Sequence, residues 1–223
     1  MMFHLPPRTL YNRKIPKNKF YEKLQANTKL KEMFVDQVDY ILWKHKLSQE
    51  TTNLEPTDDV QEIQVFEIHL KQREFSIEIL ENIDKAIPYP ILHVLIYLNE
   101  ARLMIAYKQR NQKDGNKFIV NSYYEIAWQP MNQISMQLLN GLDLKSVYEN
   151  IIKSFMTIPI VHNEDLDVMI NKQNLIEKLQ KECAMLETKM KNEKQFNRKV
   201  EMNITLQKLK KELEHGKTNN ENT

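Results

Sequence analysis

Between residues 161 and 215 the chain has no glycine and no proline, the two residues that most readily interrupt a helix. Ile176, Leu179, Cys183, Leu186 and Met190 step by three and four, the seam spacing of packed helices. Met202, Leu206, Leu209 and Leu213 repeat that spacing, but out of phase: extending the first seam would turn Glu193 and Asn197 inward. Phe196, Val200 and Ile204 mark the slip. With no glycine or proline at 191–195, the pattern favours one continuous helix with a stutter over a helical hairpin. A continuous helix would reach roughly 60–70 Å and could not bury its seam against one small domain. A partner helix is therefore expected, from a second copy or another protein, with Leu179, Leu186, Met190, Phe196, Asn197, Val200, Leu206, Leu209 and Leu213 as its contacts.

The preceding residues mix strand and helix signals. Residues 17–46 read as one or two amphipathic helices, with Phe20, Leu24, Leu30, Phe34, Val38, Ile41 and Leu42 on a buried stripe. A short strand is conceivable at 51–54, and a stronger one at 60–70, where β-branched and aromatic residues concentrate. A helix is expected over 75–86, where Ile79, Leu80 and Ile83 share a face, stopped by Pro88 and Pro90. Residues 91–98 suit a strand covered on both faces. Asn99 and Glu100 would turn the chain into a strand over 101–107, a polar loop over 108–117 would follow, and then a strand over 118–128. Residues 144–155 complete the domain as a helix with Val147, Tyr148, Ile151, Ile152 and Phe155 inward. The expectation is an α/β (or α+β) fold: a single mixed-sheet domain with flanking helices over 1–159, a coiled-coil-like helical arm over 160–215 and a disordered tail over 216–223.

Composition excludes several classes. No apolar run approaches the roughly 20 residues that span a bilayer, and the opening residues lack the order of a secretory signal, so a cytoplasmic protein is expected. Cys183 is the only cysteine, which rules out an internal disulfide or a cysteine-based zinc site. The three glycines, Gly115, Gly141 and Gly216, are too scattered for a phosphate-binding loop or dinucleotide fingerprint. With 32 basic and 30 acidic residues the net charge of +2 does not announce nucleic-acid binding. Locally, residues 172–217 hold twelve basic against seven acidic residues, and Arg8, Arg13, Lys14, Lys17 and Lys19 crowd the N-terminus. These read first as solvated faces.

Chemical candidates are sparse. Glu67, His69 and Lys71 are spaced by two and would project from one face of a strand, with Asp58 and Asp59 just upstream. Restriction-type nucleases set an acidic residue before a strand carrying an acid-x-Lys pair, because two carboxylates hold magnesium while the lysine orients water or stabilises charge. Here His69 stands where the second acid belongs, so an amphipathic strand with a solvated face is the simpler reading. The six histidines, at 4, 45, 69, 93, 162 and 215, lack metal-ligand spacing, and His93 lies in an apolar strand as a core histidine would. Asp84 and Lys85 read as helix-terminating residues beside Pro88 and Tyr89. Trp43, Trp128, Tyr123 and Tyr124 could stack on bases, although core packing accounts for their spacing.

Several stretches in order along the chain carry a resemblance. They are Ile15-Pro-Lys17 with Phe20-Tyr21, Trp43-Lys-His-Lys-Leu-Ser48, Thr51-Thr-Asn-Leu54, Glu62-Ile-Gln-Val-Phe66 leading to Leu70-Lys71, and Ile83-Asp-Lys-Ala-Ile-Pro-Tyr89. Trp128, Glu193-Lys-Gln-Phe-Asn-Arg-Lys-Val200 and Asn203 complete the set. Together they resemble DUF4391, a bacterial family known only as a domain of unknown function. Its members resemble accessory proteins encoded beside DNA helicases and DNA methyltransferases of restriction or anti-phage systems. The resemblance implies a role near DNA defence and brings no catalytic residues with it.

The expected function is a non-catalytic accessory or adaptor protein that binds a helicase or methyltransferase, or a second copy of itself, through its helical arm. It would need no cofactor. One alternative is a divergent PD-(D/E)xK-like nuclease using Asp58, Asp59, Glu67 and Lys71 with magnesium. Another is a DNA-binding module that uses the basic arm.

Overall fold

A computed structural model describes residues 2–23, 25–110, 118–159 and 164–218, with side chains to 215. Leu24, the 111–117 part of the expected loop, residues 160–163 with His162, and the 219–223 part of the expected tail lie outside the described residues. The chain divides into two compact units, Met1–Phe155 and Met156–Thr223.

The first unit is built on a six-stranded sheet in sequential order: β1 (Leu10–Ile15), β2 (Val38–Leu47), β3 (Ile63–Leu70), β4 (Ile91–Tyr97), β5 (Glu100–Arg110) and β6 (Phe118–Pro130). Every neighbouring pair is antiparallel except β3 and β4. A parallel pair needs a crossover, and α4 (Ile77–Ala86) supplies it. The other helices of this unit are α1 (Lys17–Lys23), α2 (Thr28–Gln37), the single turn α3 (Gln49–Thr52) and α5 (Leu144–Phe155).

On one face of the sheet, Ile41, Phe66, Ile68, Leu95 and Met104 form a core with Phe20, Leu30 and Phe34 of α1 and α2 and with Ile79, Leu80 and Ile83 of α4. Helix α5 supplies a separate set of buried side chains, Leu144, Val147, Tyr148, Ile151, Ile152 and Phe155. Asp143 starts α5 by accepting from the Ser146 amide at 2.7 Å. Gly141 passes so close to this turn that a Cβ would lie 2.7 Å from the Val147 nitrogen.

Two sequence expectations fail here. The helix expected to run to residue 46 ends at Gln37, and Val38–Leu47 is a strand paired with β3. Lys17 Nζ donates to the carbonyls of Phe34, at 3.3 Å, and Val38, while Lys71 Nζ donates to that of Val35 at 2.7 Å, so two lysines satisfy the end of α2. The possible strand at 51–54 is instead the turn α3, held by a reciprocal cap between Ser48 and Thr51 and closed by Asn53 in the left-handed region at φ 62°. The strand over 101–107 extends to Glu100–Arg110, which makes Lys108 a strand residue, and the turn before it falls on Leu98 and Asn99.

In the second unit, α6 (Leu166–Asn192) and α7 (Phe196–Thr218) are separate helices folded back on each other. Lys210 pairs with Glu187 at 2.8 Å, and Leu213 packs on Ile158, Met169 and Ile176. The expected continuous helix is thus a hairpin, and the chain supplies its own partner helix. Its turn needs no glycine. Glu193 leaves the helical region at φ −73°, ψ 132°, and its Oε1 accepts from the amides of Lys194 at 2.7 Å and Gln195 at 2.8 Å. That carboxylate fixes the connection just before α7, whose first residue is Phe196. Helix α7 continues to Thr218, past the expected start of the tail. No helix among the described residues is long and apolar enough to cross a membrane.

Candidate functional site

The largest concentration of buried charge joins α4 to β4, β5 and β6. Asp84 is the polar residue on the inward face of α4, in step with Leu80 and Ile83, and it is fully buried. His93 of β4 stands between Phe66 and Met104 in the sheet register and meets Asp84 Oδ2 through Nε2 at 3.0 Å. Lys108 Nζ lies 2.8 Å from Asp84 Oδ1, and the Tyr123 hydroxyl donates to Oδ2 at 2.6 Å. Lys108 also donates to the carbonyls of Ile87 at 3.0 Å and Tyr89 at 2.8 Å, binding the end of α4 to the sheet.

Burial alone would raise the Asp84 carboxyl, but the charges of His93 and Lys108 and their hydrogen bonds hold it down at about 2. Burial lowers the Lys108 ammonium against the pull of Asp84, and raises the Tyr123 phenol, with Asp84 adding to the rise. His93 Nδ1 has no hydrogen-bond partner among the described residues. Asp84 and His93 are closed to solvent, so this acid–imidazole pair meets no substrate as it stands. Its evident work is to fix α4 and the corner after it. Lys108 and Tyr123 were not legible as members. The available signal was a pair of polar residues, Asp84 and His93, each on a face that is otherwise apolar, since buried polar groups require partners.

The acidic and basic residues singled out around β3 are distributed along it. Glu67 projects opposite to Phe66 and Ile68 and meets Lys44 at 3.4 Å and His69 at 3.6 Å. Burial would raise its carboxyl, yet the His69 hydrogen bond and Lys44 draw it lower. His69 stacks on Tyr40 at 4.0 Å, and Lys14 lies over the same ring at 4.6 Å. Asp59 pairs with Lys145 of α5 at 2.9 Å, and Asp58 neighbours it in the bend before β3. Lys71, past the other end of the strand, serves as the α2 cap already described. None of the contacts made by Asp59, Glu67 and Lys71 joins one to another. Among the described residues no group of three or more His, Cys, Asp or Glu could hold a metal ion.

Within the hairpin, Leu179 and Leu206 are buried, and Leu186, Met190, Leu209 and Leu213 are half-buried. The remaining residues of the expected interface are exposed. Phe196 is 78% exposed and Val200 42%; Ile204, one turn further, is 53% exposed, and Asn197 also faces solvent. Spaced by four, the three apolar residues make one stripe along the first half of α7. The neighbouring sequence carries Lys189 and Lys191 in the last turn of α6, Lys194 in the connection, and Arg198 and Lys199, together with the carboxylates of Glu193 and Glu201. The first turn of α7 contains no acidic residue, so Arg198 and Lys199 stand where the helix end is already positive. The apolar exposure runs against the stability of an isolated hairpin, while the Glu193 carboxylate offsets the charge of Arg198 and Lys199.

A family model described as "Domain of unknown function (DUF4391)" matches residues 3–213, and the chain belongs to that family. No curated protein and no solved structure matches it.

Proposed function

We propose that the protein is a non-catalytic accessory subunit that docks a larger DNA-processing enzyme through the tip of its helical hairpin. The observation that carries this reading is the exposed stripe of Phe196, Val200 and Ile204, in a stretch where five cations outnumber the two carboxylates Glu193 and Glu201. Such a surface fits an apolar groove with an acidic rim, where the aromatic ring anchors the contact and the charges steer it. The partner is a DNA helicase or methyltransferase encoded beside it, the company that the family resemblance implies. The closed Asp84–His93–Lys108 cluster supports a structural role for the body of the protein.

The test is a binding titration between the purified full chain and that neighbouring helicase or methyltransferase. A stoichiometric complex is expected, weakened by Phe196→Asp or Val200→Asp and increasingly labile as salt rises. Two results would overturn the reading: a complex whose affinity is unaffected by both substitutions, or a tip that binds duplex DNA with steep salt dependence while leaving the enzymes unbound.

A further inference from the structure

A cleft of about 390 Å³ opens in the first unit between the β1–α1 corner and the segment after α4, within the size range of small-molecule sites. Its surface is largely apolar and includes several aromatic rings. Trp43 of β2 and Phe66 of β3 meet edge to face at 6.0 Å, and Tyr11 of β1 leans on Trp43 at 4.2 Å. The indole nitrogen of Trp43 is already occupied, donating to the His45 carbonyl at 3.1 Å, so it offers a ligand no free donor. Tyr89 closes the opposite wall, whose backbone is tied down through Lys108.

Two further features define the ligand. Gln64 lines the cleft although it is only 2% exposed. Its amide nitrogen donates to Glu62 Oε2 at 2.9 Å, and Glu62 is held in turn by Lys46 at 2.8 Å. The amide cannot flip without facing oxygen to carboxylate, so Oε1 is fixed as an acceptor, and it is buried with no donor among the described residues. The exposed residues Arg13, Lys19 and Lys23 stand at the cleft, and no carboxylate is among the described residues that line it. Arg13 lies over the Tyr11 ring at 4.6 Å, a position that keeps its guanidinium at the aromatic wall.

A flat ring, an N–H on its edge and an attached anion would satisfy all three features. We propose that this cleft binds a nucleoside phosphate, with the base against Trp43 and its neighbouring rings, an edge N–H donated to Gln64 Oε1, and the phosphate held by Arg13 and Lys19. Stacking of a base on an aromatic face tolerates any base, while a fixed acceptor selects bases that present a donor. The same chemistry is offered by a free nucleotide and by the phosphorylated end of a single strand. The site is independent of the hairpin tip, and either can fail alone.

The experiment is calorimetric titration of the full chain with AMP, ATP, adenosine and a 5′-phosphorylated deoxytrinucleotide. Phosphorylated ligands are expected to bind, and adenosine at least about tenfold more weakly than AMP. Arg13→Ala with Lys19→Ala, at exposed positions, should weaken AMP about tenfold and flatten its salt dependence. Gln64→Leu should cost about tenfold while retaining the wild-type melting profile. Tighter binding of the trinucleotide assigns the site to strand ends, and equal binding assigns it to free nucleotides; either outcome sustains the shared chemistry. Absence of binding by every phosphorylated ligand at roughly 1 mM, or affinities unchanged in both variants, would overturn the proposal.

Discussion

In the sheet unit, charge is drawn inward and matched: Asp84 meets His93, Lys108 and Tyr123, and Lys108 spends its remaining donors on the Ile87 and Tyr89 carbonyls. In the hairpin the pattern reverses. Charge stays outside, and the seam between α6 and α7 buries only part of the apolar residues, leaving Phe196, Val200 and Ile204 to solvent. A sheet with helices on it can surround a polar group on all sides, whereas two helices share one line of contact and keep their outer faces wet. The first arrangement buries its polar groups and holds a corner rigid. The second leaves an apolar stripe in solvent.

The largest expected effect comes from breaking the matched cluster. Asp84→Ala strands His93 and Lys108 without their anion and should cost roughly 3–5 kcal/mol in urea denaturation. A double replacement by apolar residues, Asp84→Leu with Lys108→Met, should recover part of that loss, since the Lys108 ammonium is then not left buried without its anion. In the hairpin, Leu206→Ala removes a buried side chain from the seam and should cost roughly 2–3 kcal/mol. Its signature is local: amide exchange should quicken in α6 and α7 with little change in β3 or β4.

Acid should reach the sheet unit through Asp84. Its folded-state pKa of about 2 lies below the ordinary 3.8, so its contribution is present above about pH 4 and is lost as pH falls through 2. At 1.36 kcal/mol per unit this amounts to about 2 kcal/mol. Stability measured from pH 5 to pH 2 should show the decline, and Asp84→Asn should show less of it. The smallest effect belongs to the turn: Glu193→Ala removes the acceptor of the Lys194 and Gln195 amides and should quicken amide exchange at those two positions with little change in global stability.

Much of the sheet unit was legible because its elements obey their local patterns. The helix over Leu144–Phe155 keeps its expected bounds, and β3, α4 and β4 start and end within a few residues of expectation. The misreadings arose where two periods coincide. Val38, Ile41 and Leu42 continue the Phe34 stripe at helical spacing, but pairing with β3 and the lysine caps at Gln37 make them strand. The candidate site was legible only in fragments. His93 stood out as a polar residue in an apolar strand, whereas Asp84 read as a helix-terminating residue and Lys108 as loop. Gln64 and Trp43 carried no signal of sharing a cleft with Arg13.

By itself the sequence determined what depends on neighbours along the chain: the helical character of the last third, the strands and the crossover helix, and the exclusion of glycine-built phosphate loops. Spacing of three and four says that a helix has an apolar seam and is silent about what covers it. That choice rests on contacts between residues far apart in sequence, as when Lys210 meets Glu187 and Leu213 packs on Met169 and Ile176. The same holds for Asp84, His93 and Lys108, and for the cleft above Gln64: distance along the chain carries no information about which side chains will meet, and only the folded sheet decides it.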